Sequence, residues 1–139
     1  MQPTQERRLL QLSVAVAGIV PVVAGLAGAI SGVRFVSHAP VDMSLDSHFR
    51  YLSGLLLAIG LVFWSLIPHI ESRAYLARPL TLIVFVGGLA RLFGTLTVGA
   101  PPAPMLFGLC MELVVTPALC AWQWRIALLY ARKAASPLV

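Results

Sequence analysis

Four apolar runs, covering roughly residues 9–30, 45–68, 80–97 and 105–130, leave this chain few ways to fold. Each is close to the ~20 residues a helix needs to cross the hydrocarbon of a bilayer. In lipid every backbone N–H and C=O must be satisfied within the segment, so a spanning run of this kind is a helix. The expected fold class is all-α: an integral membrane four-helix bundle, up-down-up-down, with residues 1–139 as a single transmembrane domain. Composition agrees. Charged residues make up 11% of the chain, where an ordinary soluble domain has about 25%, and the mean hydropathy is +0.89.

Arg7-Arg8 ahead of an apolar run and Ala27-Gly28-Ala29 resembles a secretory or twin-arginine leader. The run is longer than the about 7–15 apolar residues of such a leader, so it is expected to be a retained first span. A net charge of +5 does not imply nucleic acid, because the basic residues sit at the ends of apolar runs, where they anchor helices. Arg7, Arg8, Arg73, Arg78, Arg132 and Lys133 fall on one side of four spans; Arg34 and Arg50 fall on the other. The excess of basic residues on cytoplasmic loops then places both termini in the cytoplasm. Trp122, Trp124 and Tyr130 read as an interfacial aromatic belt, and His69 beside Pro68 as an interface residue.

Two charges lie where hydrocarbon should be. Arg91 is in the third run and Glu112 in the fourth, and both are at similar distances from the turn Pro101-Pro102-Ala103-Pro104. An antiparallel hairpin sets them at one depth. An unpaired Arg or Asp at a helix centre costs about 2.5–3.5 kcal/mol on insertion scales, so an Arg91–Glu112 ion pair is expected, with Arg50 or Tyr51 near it. Asp46, His48, Arg50 and Tyr51 open the second run, with Asp46 and Arg50 in the favourable i,i+4 order. These six residues, Asp46, His48, Arg50, Tyr51, Arg91 and Glu112, form the candidate polar pocket or ion-pair cluster, facing outward. An ionisable group inside a membrane is a functional candidate by default; the alternative is that the pair only fastens two helices.

Small residues mark packing faces in membranes. Gly18, Gly25 and Gly28, with Pro21 and Gly32, make a stripe on the first span. Gly54 is expected to pack on the second, Gly87, Gly88 and Gly94 around Arg91 on the third, and Gly108 on the fourth. On the second span Phe49, Leu52, Leu56, Ile59 and Phe63 would face lipid. Pro21 and Pro117 should bend their helices. Ser44 or Asp46 is expected to cap the second helix. Part of the connection 31–45 should form a short interfacial helix, since a structureless loop of that length is unusual.

Other chemistry finds little support. His38, Asp42, Asp46 and His48 match no metal signature. Cys110 and Cys120, ten residues apart on one helix, are separated by about 15 Å, too far for a disulfide. Catalytic triads and phosphate loops are absent from the sequence; no catalytic residue, metal or cofactor is assigned.

The segments Glu6-Arg7-Arg8-Leu9, Asp46-Ser47-His48-Phe49-Arg50-Tyr51-Leu52-Ser53-Gly54, Gly87-Gly88-Leu89-Ala90-Arg91 and Met111-Glu112-Leu113-Val114-Val115-Thr116-Pro117 resemble a bacterial family of short four-helix membrane proteins. That family is labelled only as a domain of unknown function, number 4345 in its series. The resemblance covers nearly the whole chain and implies a bacterial inner (plasma) membrane protein, multi-pass, without an assigned activity. The architecture is also distantly similar to DoxX-type membrane subunits, some of which accompany quinone-linked oxidoreductases; fold likeness alone does not carry function.

The functional reading is a binding or accessory module. Its partners would be the lipid bilayer, a lipid or quinone ligand, and a second copy or another membrane protein, with no nucleic acid. The alternative is a small proton-coupled transporter using Glu112, against which the neighbouring Arg91 argues. A further alternative is an intramembrane enzyme using Asp46, His48 and Glu112 as acid–base groups.

Overall fold

The computed structural model describes residues 3–135. Over that range the chain is all-α, with four helices each long and apolar enough to cross a membrane. Helix α1 spans Pro3–Ser31 and ends in a tight 3₁₀ turn, Gly32–Phe35. Helix α2 spans Met43–Leu66, followed by the turn Ile67–His69. Helix α3 spans Ala74–Val98. Helix α4 spans Ala103–Ala135 and contains a π-helical stretch at Met111–Val115.

The helices outrun the apolar stretches that predict them. Hydropathy marks the thickness of hydrocarbon, whereas a helix continues while its backbone groups find partners. Thus α1 begins six residues ahead of the apolar run and α3 begins at Ala74, with Pro79 inside it. The α2 cap shifts for the same reason. The helix starts at Met43, so Asp42, rather than Ser44 or Asp46, occupies the cap and accepts from Leu45 N–H at 2.8 Å. In the connection, only Gly32–Phe35 is helical.

Two compact units make up the fold. One is Val14–Ile67, the hairpin of α1 and α2. Its α1 face is the glycine stripe, and three positions have no room for a side chain. A Cβ on Gly18 would enter the indole of Trp64, and one on Gly28 would meet Ser53 Oγ. One on Gly25 would lie 2.5 Å from the Leu57 backbone nitrogen. Trp64 donates from Nε1 to the carbonyl of Ala15 at 3.0 Å, which fixes the ring over the glycine. The α2 face therefore departs from the one expected at Phe49 and Gly54, while Leu52 is exposed as expected. Phe49, Ser53, Leu57, Gly60 and Trp64 meet α1, while a Cβ on Gly54 would meet open space. The physical reason is complementarity of size: the small residues of α1 receive large side chains of α2, and Gly60 in turn receives Val22.

The other unit joins residues up to Ser13 with those from Pro68 onward. Leu10 and Ile126 are completely buried in it, and Ile70, Ala77 and Gln123 nearly so. At Gly88 helices α3 and α4 come close: a Cβ there would stand 2.9 Å from Glu112 Cβ and 2.7 Å from Leu113 Cδ2. Gly87, Gly94 and Gly108 have open space instead, so the close approach beside Arg91 is made at Gly88 and not along a glycine face.

Candidate functional site

The π stretch in α4 has a cause in the sequence. Proline lacks an N–H, and its ring clashes with the carbonyl four residues earlier. For Pro117 that carbonyl belongs to Leu113. Just before it, the hydrogen bonding widens by one residue: Thr116 donates its backbone N–H to the carbonyl of Met111, and its Oγ1 donates to the same oxygen at 2.8 Å. Single π turns of this kind recur at functional sites. This one carries Glu112.

Opposite it, Arg91 binds the carboxylate with two parallel bonds. Nε reaches Oε2 at 3.0 Å and Nη2 reaches Oε1 at 3.0 Å. This is the fork geometry that makes Arg specific for carboxylates. Three of the five guanidinium N–H groups, two on Nη1 and one on Nη2, have no hydrogen-bond partner among the described residues. The Arg91 side chain is 37% exposed and that of Glu112 is 18% exposed. Apolar side chains surround the pair in sequence, with Leu89, Phe93 and Leu96 all exposed.

The other members of the expected cluster lie in the α1–α2 unit. Asp46 ties that unit's end together: Oδ2 accepts from Arg50 Nε at 2.7 Å and Oδ1 from the backbone N–H of Val33 at 2.8 Å. Arg50 Nη1 donates to the carbonyls of Ala29 and Ile30, at 2.9 and 2.7 Å. Those are last-turn carbonyls of α1 without helical partners, so a cation from α2 caps α1. Gly32 makes this approach possible. Its φ is +62°, and a Cβ would collide with Asp46 Oδ1. Beside these groups opens a cleft of about 700 Å³, lined by Ile30, Ser31, Arg34, Phe35, Val41, Asp46 and Arg50. His48 and Tyr51 are exposed and touch each other, with ring centroids 6.5 Å apart. The six residues thus resolve into Asp46–Arg50 and His48–Tyr51 in one unit and Arg91–Glu112 in the other.

A third polar group escaped the sequence reading. In the unit that holds Arg91, Arg7 Nε pairs with Glu71 Oε2 at 2.7 Å and donates from Nη2 to the carbonyl of Pro68 at 2.8 Å. Arg125 Nη2 pairs with Glu6 Oε1 at 3.0 Å, and Gln123 Nε2 donates to the carbonyl of Ile70 at 2.8 Å. Glu6, in the first turn of α1, is buried. These pairs join residues 53 to 119 positions apart, a register no helical wheel supplies. Among the described residues no group of three or more His, Cys, Asp or Glu side chains could hold a metal ion.

Glu71 lies in the connection 70–73, outside the four long helices. Burial works to raise its carboxyl, but the Arg7 hydrogen bond, its own backbone N–H and the charges of Arg7 and His69 together hold it below the ordinary carboxylate value. A carboxyl lowered in the folded state stabilises fully above its unfolded value, and that contribution is lost as pH falls through the lowered folded value. Acid should therefore weaken this end of the fold, and Glu71→Gln should flatten the acid limb. Thermal unfolding in detergent, scanned from neutral to acidic pH, checks it; an identical acid limb in the variant would refute the assignment.

No curated protein and no solved structure matches the chain. A family model does: that of DUF4345, a domain of unknown function, over residues 9–123. The match includes Asp46, Arg50, Arg91 and Glu112, and the chain belongs to the DUF4345 family.

Proposed function

We propose that this protein is a multi-pass bacterial inner-membrane binding or accessory module that holds a neutral amphiphile, a lipid or a quinone, at the Arg91–Glu112 pair. Both termini lie in the cytoplasm, from the distribution of basic residues. The observation that carries the reading is the bidentate pair with three guanidinium N–H groups to spare, part-exposed within helices apolar enough to cross a membrane. A donor left unsatisfied in hydrocarbon is costly. The pair is neutral as a whole, so the acceptor that suits it is an uncharged carbonyl, such as a lipid ester or a quinone oxygen, on an apolar body. Asp46 and Arg50 serve the α1–α2 unit as a cap.

The transporter reading is weaker, because both oxygens of Glu112 are occupied by Arg91. Native mass spectrometry of the purified protein tests the proposal. The wild type should retain a neutral lipid or quinone, and the folded double variant Arg91→Leu/Glu112→Leu should lose it. A wild type without such an adduct, or equal retention in both proteins, would overturn the binding site. Substrate-driven proton flux in liposomes would favour the transporter instead.

A further inference from the structure

The net charge of +5 is not spread over the chain. Arg34, Arg50 and Arg91 are balanced by Asp42, Asp46 and Glu112. Every other basic residue lies within 1–13 or 68–139, toward the end of that unit opposite the Arg91–Glu112 pair, where Glu6 and Glu71 are the only acids. Both acids are engaged inside the fold, by Arg125 and Arg7. Of the five basic residues that remain, Arg8, Arg78, Arg132 and Lys133 are exposed.

Arg78 is the one held in place. Its guanidinium carbon lies 4.3 Å from the centroid of the Trp124 ring. A guanidinium held over an aromatic face is attracted by the ring and still has N–H donors to offer a ligand. Those donors match a phosphate with two parallel bonds. Tryptophan favours the depth of the head groups, and Leu82, one turn further along α3 on the same face as Arg78, is 62% exposed. A basic rim over an aromatic ring and an apolar wall is the profile of a phospholipid: phosphate above, acyl chain below.

We propose that this end of the unit binds acidic phospholipid head groups, with Arg78 on Trp124 as the oriented phosphate contact and Arg8, Arg132 and Lys133 as the surrounding charge. The site is independent of the neutral ligand at Arg91. Each basic residue near an anionic head group contributes about 1 kcal/mol, which is about fivefold in affinity. Titration of the full-length protein in neutral detergent, with phosphatidylglycerol or phosphatidylcholine and native mass spectrometry as the readout, measures the preference. The wild type should prefer phosphatidylglycerol by about tenfold or more. Arg78→Gln should remove about fivefold of that preference, and Arg78→Lys should retain part of it. Arg132→Gln/Lys133→Gln, in the exposed last turn, should lower it as well with thermal unfolding unchanged. Equal affinity of the wild type for the two lipids, or an unaltered preference in both Gln variants, would overturn the proposal. Release of the lipid by millimolar inorganic phosphate would reassign the site to a free anion and overturn the lipid assignment.

Discussion

Glu112→Leu alone is expected to destabilise the protein by about 2.5–3.5 kcal/mol, and Arg91→Leu added to it to recover most of that loss. The first substitution leaves a part-buried guanidinium in an apolar helix with no carboxylate to receive its two bonds. The second removes the stranded charge. Replacing both members of a buried pair by apolar residues is often neutral or stabilising, whereas removing one is strongly destabilising. Exposure of the Arg91 side chain at 37% lets it reorient toward polar surroundings, which holds the cost at the lower end of what buried pairs show. Reversible unfolding in mixed micelles gives the four corners of the double-mutant cycle, and the coupling term isolates the pair. The exchange Arg91→Glu/Glu112→Arg adds a second discrimination. A pair that only fastens α3 to α4 should tolerate the swap. A pair that presents N–H donors from α3 to a ligand should fold after the swap and lose the ligand. Single variants as stable as wild type would remove the ion pair from the account of the fold.

The Arg91–Glu112 pair was legible in the sequence because a hairpin has only one free parameter. Once a proline-rich turn separates two spanning helices, depth follows from counting residues at 1.5 Å each. Asp46–Arg50 was legible because both partners share a helix. Glu6–Arg125 and Arg7–Glu71 were not, since they depend on the register between helices far apart in sequence. The α2 face shows the limit of a composition rule. Gly54 was expected to pack because small residues favour close approach. The first span already supplies the small residues, and the groove they form needs bulk from its partner. Trp64 and Phe49 fill it at Gly18 and Gly28, and Gly54 is left with open space. The π turn at Glu112 was also hidden. Pro117 announces a disturbance of the helix but does not say whether a kink or a widened turn relieves it.

The difference between Gly25 and Gly54 sets a large contrast for one conservative change. Gly25→Ala should separate α1 from α2, while Gly54→Ala should leave stability equal or slightly higher. At Gly25 the new methyl would stand 2.5 Å from Leu57 N and 2.8 Å from both Leu57 Cα and Ser53 O. All three are backbone atoms, so no side-chain rotation relieves the clash and the helices must move apart. Overpacking of this kind costs about 1–3 kcal/mol, occasionally more, and here the upper end applies. Separation would also pull Trp64 from the Ala15 carbonyl and Arg50 from the Ala29 and Ile30 carbonyls, which leaves the last carbonyls of α1 without their cap. At Gly54 the same methyl meets nothing, and alanine is the better helix former by up to about 1 kcal/mol in water. Unfolding free energies of the two variants in the same micelles decide the matter. Equal effects would mean that α1 and α2 do not meet along the Gly18–Gly25–Gly28 stripe. A stable Gly25→Ala with a damaged Gly54→Ala would restore the helical face that the sequence alone suggests.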